Sequence, residues 1–160
     1  MRPRLPEIAI SELLIKKNKT LAVAESCTGG LLANALTNIP GSSKYFLLGV
    51  VAYSDQIKTS LLNVPERVIK RYGAVSRQVA QIMAQNVRKN ASSDYGIGIT
   101  GIAGPGGGTP KKPIGTVFIS VADKNKADSE KFHFPGSRLE VKRKTVLKAL
   151  SMLKDSLLKE

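Results

Sequence analysis

A serine and a cysteine stand side by side where an apolar, strand-like pattern changes into a helical one. Residues 21–24 (LAVA) are typical of a buried strand, and residues 25–30 (ESCTGG) follow them directly before Leu31. A hydroxyl or thiol at such a turn can act as a nucleophile, and backbone N–H groups at a helix start can hold an anion or a developing oxyanion. The segment is therefore a candidate catalytic turn.

A second segment, residues 98–110 (GITGIAGPGGGTP), contains more glycine than an ordinary loop needs. It does not contain the P-loop pattern, and a strand pattern rather than a helix follows it, so it is not a Rossmann fingerprint. Gly101 and Gly104 come at the end of a predicted buried strand, where α/β folds bind ligands and where glycine lets the backbone approach a ligand closely. We expect this loop to bind a ligand.

A serine nucleophile needs a base, and the sequence offers two types. The single histidine, His133, lies in an alternating Phe-His-Phe pattern on a predicted edge strand, which disfavours a Ser-His-Asp triad. Lys58 follows a strand that ends at Tyr53 and should be parallel to the strand before Ser26, so both could meet at one edge of the sheet. A lysine acts as a base only when burial or nearby positive charge lowers its pKa, and the residues alone leave that open.

Three more side chains have both a structural and a functional interpretation. Cys27 competes with Ser26 as the nucleophile, but without a histidine partner it is more typical of a small packed residue. Tyr53 either caps the core or hydrogen-bonds the base or nucleophile. Arg138 is either a surface arginine or a phosphate clamp at the start of the last helix.

Composition limits the function classes. The chain has 160 residues, 42% of them hydrophobic, and a net charge of +13. No apolar run approaches the ~20 residues of a membrane span, so we expect a cytoplasmic protein without membrane partners. One cysteine and one histidine exclude a structural zinc site, and no acidic cluster suggests an oxygen-ligated metal. A serine nucleophile with a lysine base would need neither a metal nor an organic cofactor, so we expect none. The lysines are scattered rather than arranged in a stripe, which disfavours a nucleic-acid partner.

Helical and strand patterns alternate along the chain. We predict helices over 6–18, 28–38, the stretch after Lys58, the stretch from Pro65, the stretch from a Ser76 N-cap to 89, and 139–158, with strands over 20–24, 46–53, 95–100, 114–122 and 131–134. The run over 46–53 is apolar throughout, which predicts a strand buried on both faces. The order predicts an α/β protein, a three-layer α/β/α sandwich with a mixed, largely parallel central sheet, and a single domain over 1–160.

Five ordered motifs together resemble the CinA C-terminal domain family, the nicotinamide-nucleotide amidases. They are AESCTGG (24–30), PGSS with Tyr-Phe (40–46), GVVAYS (49–54), GAVS (73–76) and TGIAGPGGGTP (100–110). The resemblance extends over about residues 7–158. Two departures occur, SDQIK after Tyr53 where the family often has SNEAK, and GSR at the last helix where GDR is usual, and both keep the basic residue.

The resemblance implies hydrolysis of the carboxamide of nicotinamide mononucleotide to nicotinate mononucleotide and ammonia, which returns the ring to NAD synthesis. Ser26 would be the nucleophile and Lys58 the general base, and Tyr53 would assist this pair. The backbone of Thr28, Gly29 and Gly30 would hold the oxyanion. The substrate-binding residues would be Glu25, Thr100, Gly101, Gly104 and Arg138.

The resemblance also implies a stand-alone amidase form that assembles as a homodimer or larger homo-oligomer. Two alternatives stay open beside it. The first is a non-catalytic binding protein connected with competence or DNA damage, which the net charge of +13 would suit. The second is a serine amidase for another amide substrate.

Overall fold

The computed structural model describes residues 5–160, so residues 1–4 of the predicted domain lie outside the described part. In chain order the elements are α1 (Pro6–Lys17), β1 (Leu21–Glu25), α2 (Leu31–Thr37), a 3-10 helix (Ser42–Lys44), β2 (Phe46–Val51), α3 (Asp55–Leu62), α4 (Glu66–Tyr72), α5 (Arg77–Ala91), β3 (Tyr95–Gly101), β4 (Thr116–Ala122), β5 (Ala127–His133) and α6 (Arg138–Leu158).

Five strands form one mixed sheet in the order β2-β1-β3-β4-β5. β1 pairs in parallel with β2 and with β3, whereas β4 is antiparallel to both β3 and β5. Within this sheet β4 alone runs against the other four strands, so the prediction of a mixed, largely parallel sheet is confirmed. Ala24 of β1 is opposite Val50 on one side and Gly98 on the other, so the carboxyl ends of β1, β2 and β3 lie at one edge.

Helices cover both faces of the sheet, as the three-layer prediction requires. On one face, α1, α2 and α6 pack through residues such as Leu14, Leu36 and Leu153. On the other face, α5 packs through Val79 and Met83, with residues of α3 and α4 beside it. The two hydrophobic cores hold the sheet between them, and burial of this apolar surface supplies most of the favourable free energy of folding.

α5 lies very close to β3 because two glycines face it. A Cβ at Gly98 would be 2.3 Å from the Ala80 carbonyl oxygen, and one at Gly96 would be 2.1 Å from the Ala84 carbonyl oxygen. These distances are shorter than van der Waals contact, so any side chain would push the helix away from the sheet. The close packing fixes α5 and the loop before it relative to the end of β3.

Several predicted elements differ from the structure. β5 begins at Ala127 rather than at residue 131, and α3 begins at Asp55 rather than after Lys58. β2 is an edge strand, and its residues alternate between half-buried and exposed, so the prediction of a strand buried on both faces was wrong. An apolar run can lie on an edge because Leu47 and Val51 remain about half exposed there. α2 begins at Leu31 rather than at residue 28. Gly29 and Gly30 have φ angles of +62° and +97°, which a right-handed helix does not contain, so these two residues form the turn before the helix.

Candidate active site

Ser26 is the first residue after β1, where the strand gives way to a tight turn. Its N–H donates to the Ile99 carbonyl of β3 (3.1 Å), and its own carbonyl accepts from the Gly29 N–H (3.0 Å). The left-handed conformations of Gly29 and Gly30 reverse the chain into α2. Both backbone groups of Ser26 are therefore held, and the side chain, which is only 7% exposed, faces the cavity described below.

Glu25 has a structural position in this turn. Its side chain is fully buried, and its carboxylate accepts from the N–H groups of Leu32 (2.8 Å) and Ala33 (3.0 Å) in the first turn of α2. A carboxylate is favourable there because the first N–H groups of a helix have no partner within the helix. Glu25 does not line the cavity around Ser26, so its expected direct contact with substrate does not fit this geometry.

Lys58 lies on the second turn of α3 and is buried at the same edge of the sheet. Ser54 caps the helix by accepting from the Ile57 N–H (3.2 Å). The Lys58 Nζ donates to the Tyr53 carbonyl (3.1 Å) and lies 3.7 Å from Oδ1 of Asp55. Loss of water around the amine lowers the pKa of Lys58 below its ordinary range, and the Asp55 carboxylate opposes this effect only partly. Burial thus shifts the pKa of Lys58 in the direction that a lysine base requires.

One cavity of about 280 Å³ brings the predicted nucleophile and base together. Its size is close to the lower end of small-molecule sites, ~300 Å³. The residues that line it are Ser26, Cys27, Tyr53, Asp55, Lys58, Ala74, Val75, Thr100, Gly101, Ile102, Ala103, Gly104, Gly106, Gly107 and Arg138. A larger groove of about 550 Å³ between α3 and α4 shares Asp55 with it but contains neither Ser26 nor Lys58. The smaller cavity is therefore the candidate active site.

The glycine loop forms one wall of this cavity and is held in place. Thr100 is buried at the end of β3, and its hydroxyl donates to the Ala74 carbonyl (2.8 Å). Gly101 fits tightly against β4, since a Cβ there would be 2.8 Å from a methyl group of Val117. The Thr100 hydroxyl thus binds the loop before α5 in this structure, and its expected role in binding the nucleotide stays a prediction.

Arg138, the first residue of α6, bridges the two other walls. Its guanidinium donates to the Gly104 carbonyl (2.7 Å) and to the Tyr53 hydroxyl (2.8 Å). A capping box between Ser137 and Glu140 fixes this helix start. Arg138 therefore connects α6, the glycine loop and the segment that follows β2. It also orients the side chain of Tyr53, which is 56% exposed.

Of the three expected oxyanion donors, the Gly29 N–H already has a partner, and the roles of Thr28 and Gly30 stay predictions. Thr28, Gly29 and Gly30 do not line the cavity, and the Gly29 N–H already donates to the Ser26 carbonyl. The Thr28 hydroxyl is buried without a hydrogen-bond partner among residues 5–160. A prediction from the sequence places these groups near Ser26, but the direction of each N–H depends on the turn geometry.

The competing nucleophile, Cys27, lines the same cavity as Ser26 but is disfavoured by its pKa, whereas the competing base, His133, lies elsewhere. Cys27 lies in the hydrophobic core, and burial raises the pKa of its thiol to about 11, which keeps it neutral near pH 7. His133 lies on β5, where its Nε2 is 3.0 Å from the Ile114 carbonyl oxygen, and it does not line the cavity. Of the pairs considered from the sequence, Ser26 and Lys58 are the one that the structure brings into the same cavity.

Asp55 is a site residue that the sequence analysis missed. It lies three residues before Lys58, and residues with this spacing share one helix face. The predicted helix began only after Lys58, whereas α3 begins at Asp55, so this signal was not used. Ala74 and Val75 also line the cavity, and they belong to the GAVS motif whose role the sequence did not reveal.

Metal-ligand clusters and membrane-spanning helices are both absent from the described residues. Over residues 5–160, no group of three or more His, Cys, Asp or Glu side chains could hold a metal ion. In the same part of the chain, every helix is too short or too polar to cross a membrane.

Comparison with known proteins gives a consistent family. The family model "CinA C-terminal domain" matches residues 6–157. A protein of Caldicellulosiruptor bescii that is named a competence-damage inducible protein is 47% identical over 157 residues. These residues are 98% of this chain and 38% of that protein. A CinA-like protein of Endomicrobium trichonymphae is 49% identical over 91% of this chain and 34% of its own length. The chain thus spans little more than a third of these curated relatives.

Solved structures agree with the same fold. The competence damage-inducible protein A of Klebsiella pneumoniae has a TM-score of 0.93 at 32% identity, covering 96% of this chain and 95% of that chain. A CinA superfamily protein of Escherichia coli has a TM-score of 0.89 at 38% identity, and the match covers 92% of this chain and 86% of that chain. With the family match over residues 6–157, these similarities show that the chain belongs to the CinA C-terminal domain family.

Proposed function

We propose that this protein is an amidase that hydrolyses the carboxamide of nicotinamide mononucleotide to nicotinate mononucleotide and ammonia. The observation that carries the proposal is the presence of Ser26 and a buried Lys58 in one cavity. A serine hydroxyl is a weak nucleophile until a base removes its proton, and a lysine can do so only when its amine is neutral. Burial, which lowers the pKa of Lys58, supports that role.

Acylation follows from this pair. Lys58 accepts the proton of the Ser26 hydroxyl as the Oγ forms a bond to the carboxamide carbon. The tetrahedral adduct then collapses, the C–N bond breaks, and the Lys58 ammonium gives its proton to the leaving nitrogen, which departs as ammonia. The product of this half-reaction is an ester between Ser26 and the nicotinate ring.

Deacylation uses the same two groups in the reverse order. A water molecule attacks the ester carbon and gives a proton to Lys58. The ester C–O bond breaks, and Lys58 returns the proton to the Ser26 oxygen. Altogether one amide and one water molecule become one carboxylic acid and one ammonia, and the enzyme is restored.

Substrate recognition is assigned to the cavity rim. Arg138 and Tyr53 are at the rim with Gly104, and an arginine there can pair with the phosphate of a nucleotide. The net charge of +13 favours the approach of an anionic substrate. Ser26, Lys58, Tyr53, Thr100, Gly101, Gly104 and Arg138 are the proposed site residues.

Two observations favour a second candidate function. Several relatives are named competence-damage inducible proteins, and the net charge of +13 would suit DNA binding. In that case the protein would bind DNA in a salt-sensitive manner and show no amidase activity. An amidase for a different carboxamide is a variant of the first proposal and uses the same cavity.

The testing experiment follows nicotinate mononucleotide by chromatography after purified protein is incubated with nicotinamide mononucleotide. Ser26→Ala should lower turnover about a thousandfold or more, because nothing else in the cavity replaces the nucleophile. Ser151→Ala, which removes a hydroxyl from the exposed side of α6, is the matched control and should retain full turnover.

Unchanged turnover in Ser26→Ala would refute the serine mechanism. No product from the wild-type protein would refute the substrate assignment. A panel of simpler aromatic and aliphatic amides and a DNA-binding assay in low and high salt would then separate the remaining candidates.

A further inference from the structure

Asp55 is the carboxylate closest to the proposed base. It is the first residue of α3, one turn before Lys58, and its Oδ1 lies 3.7 Å from the Lys58 Nζ. The Lys58 side chain is 3% exposed, whereas that of Asp55 is 61% exposed. The ion pair therefore joins a buried cation to an anion that stays in water, so Asp55 avoids most of the desolvation cost that Lys58 bears.

The other titratable or charged groups that line the cavity with Lys58 come from three parts of the chain. They are the Cys27 thiol after β1, the Tyr53 hydroxyl after β2 and the Arg138 guanidinium of α6. The thiol is neutral near pH 7, the phenol accepts a hydrogen bond from Arg138, and Arg138 is a cation. Among the described residues that line the cavity, Asp55 supplies the negative charge that faces the amine.

We propose that Asp55 is a positioning residue of the amidase, whose carboxylate sets the pH range in which Lys58 acts as the base. The proposal rests on the proposed function. Burial favours the neutral amine, and the nearby carboxylate favours the ammonium, so the balance between them decides how much free base exists at a given pH. The same Nζ donates to the Tyr53 carbonyl (3.1 Å), so the carboxylate and this carbonyl together hold the amine beside the start of α3.

The first arm of the test is the pH profile of kcat/KM for nicotinamide mononucleotide in Asp55→Asn. Without the carboxylate, less free energy stabilises the Lys58 ammonium, so the acidic limb should move to lower pH and kcat/KM on that limb should rise. Added salt should bring the acidic limbs of the wild type and Asp55→Asn closer together in pH, because salt screens an ion pair with one exposed partner.

Asp128→Asn is the matched control. It removes the same charge from another exposed ion pair, Asp128 with Lys126 (2.6 Å), far along the sheet on β5. Its acidic limb should coincide with that of the wild type. An Asp55→Asn profile that is unshifted, shifted to higher pH, or lowered at every pH would overturn the proposal.

The second arm measures Lys58 without substrate. Lysine labelled with 13C at Cε gives one NMR signal for each side chain, and the signal absent from Lys58→Met identifies Lys58. Its titration midpoint should be lower in Asp55→Asn than in wild type and unchanged in Asp128→Asn. An unchanged midpoint in Asp55→Asn overturns the inference.

The two arms separate the possible failures. If wild-type protein does not hydrolyse nicotinamide mononucleotide but the NMR midpoint shifts as expected, the proposed function fails while the Asp55 effect on Lys58 stands. If turnover is present and the midpoint does not move, the inference about Asp55 fails while the proposed function stands.

Discussion

At the residue scale, Lys58 links function with stability. Its pKa is lowered in the folded state, so between that lowered value and the ordinary value the unfolded chain binds more protons than the folded one. The free energy of unfolding should therefore rise with pH through this window. Below the window, the full cost of burying the charged Lys58 amine lowers the stability of the folded state. A buried base is thus a local cost that the rest of the core offsets.

Lys58→Met should remove both the base and this cost. Methionine keeps the length of the apolar stem, so we expect the free energy of unfolding to increase by about 1 kcal/mol at pH 7, while amidase activity is lost. Urea unfolding at several pH values measures the effect. The stability difference between the variant and the wild type should shrink as pH rises, and a constant difference would contradict the explanation.

Cys27 should behave as a core residue, since its thiol pKa is about 11 and its side chain is buried. The folded protein should react very slowly with iodoacetamide at pH 7.5, and the urea-unfolded protein should react at the rate of a free thiol. Cys27→Ala should keep most of the turnover and lose about 1 kcal/mol of stability. Rapid labelling of the folded protein together with loss of turnover would favour Cys27 as the nucleophile.

At the scale of elements, the site depends on how closely α5 approaches β3. Thr100 is the penultimate residue of β3 and is hydrogen-bonded to Ala74, which precedes α5. A shift of the helix would therefore displace both of these cavity-lining segments together. Gly96 and Gly98 allow this approach.

Gly98→Ala should therefore destabilise the protein by about 3 kcal/mol, because a Cβ would be 2.3 Å from the Ala80 carbonyl oxygen and 2.6 Å from the Ala84 nitrogen. Chemical denaturation followed by circular dichroism measures it. Gly106→Ala is the control for stability, since a Cβ there would have no atom within 4 Å. Equal unfolding midpoints for the two variants would contradict the packing argument.

At the scale of the whole molecule, the charge of +13 should act on substrate capture. Long-range attraction of an anion weakens as ionic strength increases, so KM for nicotinamide mononucleotide should rise severalfold from low to high salt. Nicotinamide riboside, which has no phosphate, is the matched control and should show little change or the reverse. Equal salt effects on both substrates would argue against electrostatic capture.

Assembly as a homodimer or larger oligomer stays a prediction that sedimentation can test.

The sequence by itself determined the layered α/β fold, most helix and strand positions, and the placement of Ser26 and Lys58 after neighbouring strands. Local patterns suffice for these, because periodicity reflects which face is buried and parallel strands end at one edge. The same reasoning found the Ser76 N-cap, which accepts from the Val79 N–H. The motifs added the family, which the family match confirms.

Only the tertiary structure decided the environment of each group. It showed that β2 is an edge strand, that Lys58 is buried beside Asp55, and that Glu25 caps α2 instead of lining the cavity. It also showed that the Gly29 N–H already has a partner. Burial, pKa and hydrogen-bond direction depend on residues far apart in the chain, such as Arg138 and Tyr53, so no local pattern contains them.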